Sequence, residues 1–176
     1  MTAWYSTTVN IASEKTYGAD VEANYGATVF NNPFNLRTLL TWQPHIIIRT
    51  PGLDTVDQGG AGYNANNLFP APTIRATITA DYQVSRFNVA VLEQVRSKIR
   101  WTNDPAFVFS NAPIPPVAYT ALTLTYGMPR KDWGGGEVLL NIQNLFNQQP
   151  TPLAGSQANA NVGTFGGFAL GVRYRF

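Results

Sequence analysis

The sequence predicts an all-β fold of antiparallel transmembrane β-strands, about eight of them. Three observations predict it. Long stretches alternate apolar and polar residues with period two, which sorts them onto the two faces of a strand. Charged residues are only 12% of the 176, while aromatics reach 12% with ten Phe, eight Tyr and four Trp; ordinary soluble chains carry about 25% charge. Short turns and long loops also alternate along the chain, as they do when antiparallel strands cross a bilayer with tight turns at one rim and larger loops at the other.

The elements follow in order. Residues 2–11 alternate, with Ala3, Tyr5, Thr7, Val9 and Ile11 on one side, and residues 12–15 (ASEK) read as a turn. In the next strand, 16–30, Tyr17, Ala19, Val21, Ala23, Tyr25, Ala27 and Val29 share a face opposite Asp20, Glu22, Asn24 and Thr28. The Asn and Pro of NNPFN, 31–35, predict a turn. A third strand, 36–49, is less regular and is interrupted by Pro44. Residues 50–72, rich in Pro, Gly and Asn, form a long loop. Strand four, 74–84, sets Ile74, Ala76, Ile78, Ala80, Tyr82 and Val84 against Arg75, Thr77, Thr79, Asp81 and Gln83.

A tight turn near Ser85-Arg86 leads to 87–101. That segment also fits a helix, with Val89, Leu92, Val95 and Ile99 at helical spacing. The strand reading fits its neighbours better, although it places Glu93 on the lipid side. A second long loop precedes strand six, 118–126; MPRKDWGGG turns the chain into strand seven, 137–143; a third long loop, 147–166, precedes the final strand, 167–176. Long connections follow strands three, five and seven. Short ones follow two, four and six, and the connection after strand one breaks the rule by being short.

Composition excludes several classes. No run approaches the ~20 apolar residues of a transmembrane helix, and mean hydropathy is −0.12. Cysteine is absent, which removes disulfides, thiol catalysis and thiolate metal sites. A net charge of +2 is too small and too scattered for a nucleic-acid interface. The N-terminus, MTAWYSTTVN, has neither the basic nor the apolar region of a signal peptide. His45 is the single histidine, and no carboxylate motif surrounds it in sequence, so no catalytic role is expected. Glycine runs at 59–62 and 134–136 lack the strand–Gly–helix context of phosphate loops and read as turn chemistry. No cofactor or metal is implied.

The C-terminal third carries a resemblance. EVLLNIQNLFNQQ, with Asn144, Leu145 and Phe146, and a last strand ending Tyr174-Arg175-Phe176 resemble the penultimate and final strands of TonB-dependent outer-membrane receptors. Upstream, Asn10 followed by Tyr17-Gly18-Ala19-Asp20-Val21-Glu22 resembles a hairpin of the same family. The resemblance implies the C-terminal part of a 22-stranded barrel in the outer membrane of a Gram-negative bacterium, contacting outer-membrane lipid. It implies uptake of a ferric siderophore or similar scarce nutrient, with an N-terminal plug and TonB as partners of the full-length form. Neither a plug nor a TonB box is read in these residues. It implies further that Leu170, Val172, Tyr174 and Phe176 act as the signal read by the barrel-assembly machinery. The alternatives are a self-contained eight-stranded barrel acting as an anchor or adhesion protein and a soluble β-sandwich.

Candidate ligand contacts are Arg75, Arg96 and Arg100 on the polar face, and Tyr63, Asn64 and Trp101 in the loops. With Lys98, Arg173 and Arg175, the arginines could draw an anionic ligand into the lumen. They could equally pair with Asp81, Glu22 and Asp20, and structural ion pairing is the commoner cause of such clusters.

Overall fold

The computed structural model describes residues 13–61, 71–100, 103, 114–129, 135–149 and 167–175, with Tyr174 and Arg175 described by backbone alone. The described residues are all-β with no helix. The strands are β1 (Ser13–Val29), β2 (Asn32–Arg49), β3 (Val56–Asp57), β4 (Ile74–Val84), β5 (Phe87–Arg96), β6 (Val117–Gly127), β7 (Gly135–Gln143) and β8 (Gly167–Arg175). Seven long strands lie side by side in chain order, every pair antiparallel, and the two-residue β3 pairs with the far end of β2. Among the described residues the sheet is open: β1 and β8 are its edges and do not pair with each other. The expected first strand, 2–11, lies outside the described residues.

The registers bring the alternating faces into alignment across the sheet. Leu36 lies opposite Tyr25 and Ala80; Ala80 is opposite Val91, and Val91 is opposite Leu122. Leu124 then faces Leu140, and Leu140 faces Leu170. Directly opposed residues point to the same side, so one apolar face runs from edge to edge. A one-residue slip in any pair would put polar residues on it. Its large side chains are half-exposed on the central strands, as at Val91, Leu122 and Leu140, and fully exposed on the edge strands, where Tyr25 is 62% and Phe168 82% accessible.

Aromatics collect at the two ends of this face. Phe34 opposes Tyr82, and Phe87 opposes Tyr126 with ring centroids 4.6 Å apart, at the tight-turn rim. Trp42, Tyr17 and Phe168 sit toward the long-loop rim. Phe34 and Trp42 are eight steps apart along the strand, about 27 Å.

The turns differ in detail from the sequence reading. Residues 13–15 are not a turn: Ser13, Glu14 and Lys15 pair with Arg49, Ile48 and Ile47 inside β1–β2. The hairpin turn is confined to Phe30-Asn31, and Asn32 and Pro33 already belong to β2. Both turn residues have positive φ, 48° and 61°, as a two-residue turn matching strand twist requires. Asn31 suits that conformation, and the Asn32 amide closes the turn by donating to the Phe30 carbonyl at 2.8 Å. Ser85, with φ 54°, starts the equally tight β4–β5 turn. Gly135 and Gly136 are not turn residues; they open β7 opposite Arg175 and Tyr174. The segment from 87 is a strand rather than a helix, ending at Arg96 instead of running to 101.

Pro44 has a clear place. The register shifts between Tyr17/His45 and Ala19/Trp42, so β2 carries one extra residue there, a β-bulge. A bulge tolerates a residue with no N–H to donate. Opposite it, a Cβ on Gly18 would stand 2.4 Å from the Trp42 carbonyl oxygen, so the close approach needs glycine. The extra residue also exchanges the faces of β2. Beyond it, His45 joins the apolar-face row with Tyr17, while Ile46 and Ile48 turn to the opposite side and are buried.

That end of the sheet holds the described buried apolar residues: Ile46, Ile48, Ala61, Ile99, Ile114 and Val117. Backbone bonds knit the loop segments there. The Gln58 N–H donates to Ile46 O, the Arg100 N–H to Gly60 O, and Ile99 and Ile114 exchange both bonds. Ile99 is the most enclosed, at 1% exposure.

Candidate functional site

The polar face and the long-loop rim carry the chemistry. On the polar face, Arg75 and Arg96 are directly opposite each other on β4 and β5. Asp20 and Thr41 continue that row toward β1, and Val117 continues it toward β6. Like charges directly opposite destabilise a sheet. The expected pairing of Asp20, Glu22 and Asp81 with these arginines is not what forms at Glu22. Its Oε1 accepts from both Nε and Nη2 of Arg37, each at 2.9 Å, and also from the Asn24 amide at 3.3 Å. Arg173 pairs with Glu137 directly across β7–β8 at 3.0 Å. Arg96 has no partner for its Nε or Nη1, and the nearby Tyr119 hydroxyl has none either; all three atoms are shut off from solvent.

Arg100 is elsewhere. It lies past the end of β5, exposed, in a parallel bridge with Ala61 at the loop cluster. The structure therefore brings Arg75 and Arg96 together and leaves Arg100 apart from them. Tyr63, Asn64 and Trp101 lie outside the described residues, as does Phe176 of the terminal signal. Leu170 and Val172 are exposed on the apolar face. The backbone of Tyr174 pairs with Gly136.

Glu93 keeps its expected position on the apolar face, between Ile78 and Thr120. Its Oε2 accepts the Thr120 hydroxyl from the neighbouring strand, so the carboxyl is not left alone there.

The Asn144-Leu145-Phe146 stretch is a turn at the end of β7. Asn144 has φ 49° and is 6% exposed. Its side chain acts as a clamp: Oδ1 accepts the Gln148 N–H at 2.7 Å and Nδ2 donates to the Gln148 carbonyl at 3.1 Å. Its carbonyl accepts the Asn147 N–H, and the Leu145 N–H donates back to Thr120 on β6. Asn is favoured here because it tolerates a left-handed backbone and its amide can imitate a peptide group.

Sequence reasoning missed the partner of His45. Its Nδ1 lies 2.6 Å from Asp57 Oδ2, across the β2–β3 pair. Asp57 Oδ1 also accepts the Ile46 and Gly59 N–H groups, each at 3.0 Å. Burial opposes ionisation of Asp57, but the bonds from His45, Gly59 and Ile46 together outweigh it and hold its carboxyl below the ordinary aspartate range. The Asn103 amide donates to the carbonyls of Asp57 (3.0 Å) and Gly59 (2.8 Å), tying in the next loop. Twelve residues separate His45 from Asp57, and only the short β3 pairing brings them together; no local spacing marks it. Among the described residues no hydroxyl bonds to His45, and no group of three His, Asp or Glu could hold a metal ion. The pair latches the loop to β2.

No family model matches the chain, and no curated protein matches it.

Proposed function

We propose that this chain is a run of transmembrane strands from an outer-membrane β-barrel of the TonB-dependent receptor type, serving uptake of a ferric siderophore or similar nutrient. In this reading it is not an enzyme, and its partners are outer-membrane lipid, the barrel-assembly machinery, and a plug and TonB in the full-length form. The observation that carries the membrane reading is the apolar face, continuous over seven strands, half-exposed to fully exposed with no described strand over it, and bordered by aromatics at both ends. A barrel strand tilted by about 40° turns the 27 Å between the aromatic rows into about 21 Å of height, close to the ~25 Å apolar band of such barrels.

The reading as a segment of a larger barrel rather than a self-contained small one rests on the family resemblance, because residues 1–12, which would supply a further strand beside β1, lie outside the described residues. The receptor and transport parts of the proposal rest on the two C-terminal motifs. The soluble-sandwich alternative needs a second layer over the apolar face, and none of the described strands covers it.

The test is fractionation of a Gram-negative host expressing the full chain, followed by gel mobility of boiled and unboiled samples. Recovery with outer-membrane lipid is the expected result. A heat-dependent mobility shift would favour closure without further strands; absence of a shift would favour a larger barrel. Recovery as a folded protein in the detergent-free soluble fraction would overturn the membrane reading.

A further inference from the structure

We infer that the outward side of the β1–β2 pair, at the long-loop rim, binds the phosphate headgroup of an anionic membrane lipid between Lys15 and Arg49. The inference rests on the membrane reading proposed above and goes beyond it by naming a lipid site and the leaflet that holds it.

The site lies where the apolar face ends. Past Trp42, the same side of the pair continues as Tyr17 with His45, Lys15 with Ile47, and Ser13 with Arg49. The bulge puts them there. Without the extra residue in β2, His45 and Arg49 would share the side of Arg37. Tyr17 and His45 meet edge to face, with ring centroids 6.5 Å apart. Lys15 and Arg49 are diagonal neighbours across the pair, close enough for two long side chains to hold one group. Both are exposed. They are the only Lys or Arg among the described strand residues on this side; Arg37, Arg75, Arg96 and Arg173 face the other.

Neither cation takes part in an ion pair among the described residues. Glu14, next to Lys15, is opposite Ile48 and points to the other side. Asp57 lies on this side, across β2 at Ile47, but both its oxygens are occupied, by His45 and by the Ile46 and Gly59 N–H groups. The height also fits. Ala19 is opposite Trp42, and Lys15 is four steps farther along β1. That is about 14 Å of strand, or about 10 Å of height at a tilt of about 40°. With the aromatics at the membrane interface, this is the outer margin of the headgroup layer, and long cationic stems bend back into it. Arg49 offers a planar fork to two phosphate oxygens, and Lys15 a point charge. Continuity with the apolar face selects a lipid over a soluble anion: the acyl chains of a lipid held here lie along Trp42 and Leu40. The strands carry no Lys or Arg at the tight-turn end of this side. The preference therefore belongs to the leaflet at the long-loop rim, the outer one in such barrels.

The test uses the full chain refolded in vesicles of phosphatidylcholine mixed with phosphatidic acid, one lipid at a time carrying brominated chains that quench tryptophan on contact. One variant keeps Trp42 alone, with Trp4, Trp101 and Trp133 each replaced by Phe. A second also replaces Trp42 and moves the reporter to the tight-turn rim by Tyr126→Trp. At Trp42, phosphatidic acid is expected to be preferred about threefold over its share of the mixture. That preference should vanish in Lys15→Gln/Arg49→Gln and at about 1 M salt, where screening acts within ~3 Å. The Tyr126→Trp reporter should show none. Equal quenching by the two lipids at Trp42 overturns the proposal and leaves the membrane reading standing. Quenching by neither lipid overturns the membrane reading and the proposal with it. A preference shared by both reporters, or unchanged in the double variant, also overturns the site. Loss of the preference on adding inorganic phosphate at constant ionic strength overturns the lipid assignment in favour of a soluble anion. If the double variant does not refold, the contrast between the two reporters and its salt dependence decide the matter.

Discussion

Replacing Asn144 tests whether the Asn-Leu-Phe stretch is a structural clamp. Its amide makes two bonds to the Gln148 backbone from a site 6% exposed. Asn144→Gly removes both and leaves a backbone N–H and a carbonyl unpaired. At about 1 kcal/mol for each bond, with about 0.5 kcal/mol of added chain entropy, the loss is about 2.5 kcal/mol. Asn144→Ala removes the same bonds and forces a Cβ into φ 49°, which adds about 1.5 kcal/mol for about 3.5 kcal/mol in all. The assay is urea unfolding of the vesicle-refolded chain followed by tryptophan fluorescence, compared at a common slope. The ordering carries the argument. An alanine variant no less stable than the glycine variant would refute the backbone part, and two variants within 0.5 kcal/mol of the parent, roughly the scatter of such contacts, would refute the clamp.

Gly18→Ala should destabilise by about 1–3 kcal/mol, because its Cβ would meet the Trp42 carbonyl at 2.4 Å; Gly26→Ala, whose nearest neighbour is a side-chain oxygen at 3.5 Å, should be near neutral in the same thermal melts. Thr120→Val should cost about 1–3 kcal/mol by stranding Glu93 on the apolar face, and adding Glu93→Leu should recover most of it in a double-mutant cycle. Asp57 has a lowered folded-state pKa, so its latch is complete above the unfolded aspartate value near 4 and is lost as pH falls through the folded value. The Gly59 amide resonance should report that loss with a midpoint below about 4; a midpoint above it would contradict the assigned bonds.

The all-β class, the strands from 74 onward and both tight hairpins were legible because period-two alternation is strong wherever two faces differ in polarity. The helix-like spacing of Val89, Leu92, Val95 and Ile99 was overridden by pairing on both sides, with Ala80 and Leu122 flanking Val91. The bulge at Pro44 was not legible. A sequence shows that proline interrupts a pattern but not that the chain absorbs the interruption and resumes with its faces exchanged. That exchange is what buries Ile46 and Ile48 and brings His45 within reach of Asp57 only through β3. Ser13–Lys15 read as a turn by composition, yet they are strand because β2 runs on to Arg49 and offers partners. At the candidate site, the row containing Arg75 and Arg96 followed once strand register was known. The choice of Arg37 by Glu22 depends on diagonal reach across two strands, which alternation does not encode.

The neighbour order has an arithmetic consequence. The seven long antiparallel strands among the described residues are an odd number, so β1 and β8 run in the same direction, both from the long-loop rim to the tight-turn rim. Joined to each other they would form a parallel seam in an otherwise antiparallel wall. A uniformly antiparallel ring must therefore gain an odd number of strands between these edges. The strand laid against β1 must rise from the tight-turn rim, and so must the one laid against β8. Two copies of this sheet joined edge to edge in the same orientation across the wall would meet with the same mismatch. Strands that completed such a ring would thus differ from the sheet they complete, and their number would be fixed in parity by that sheet.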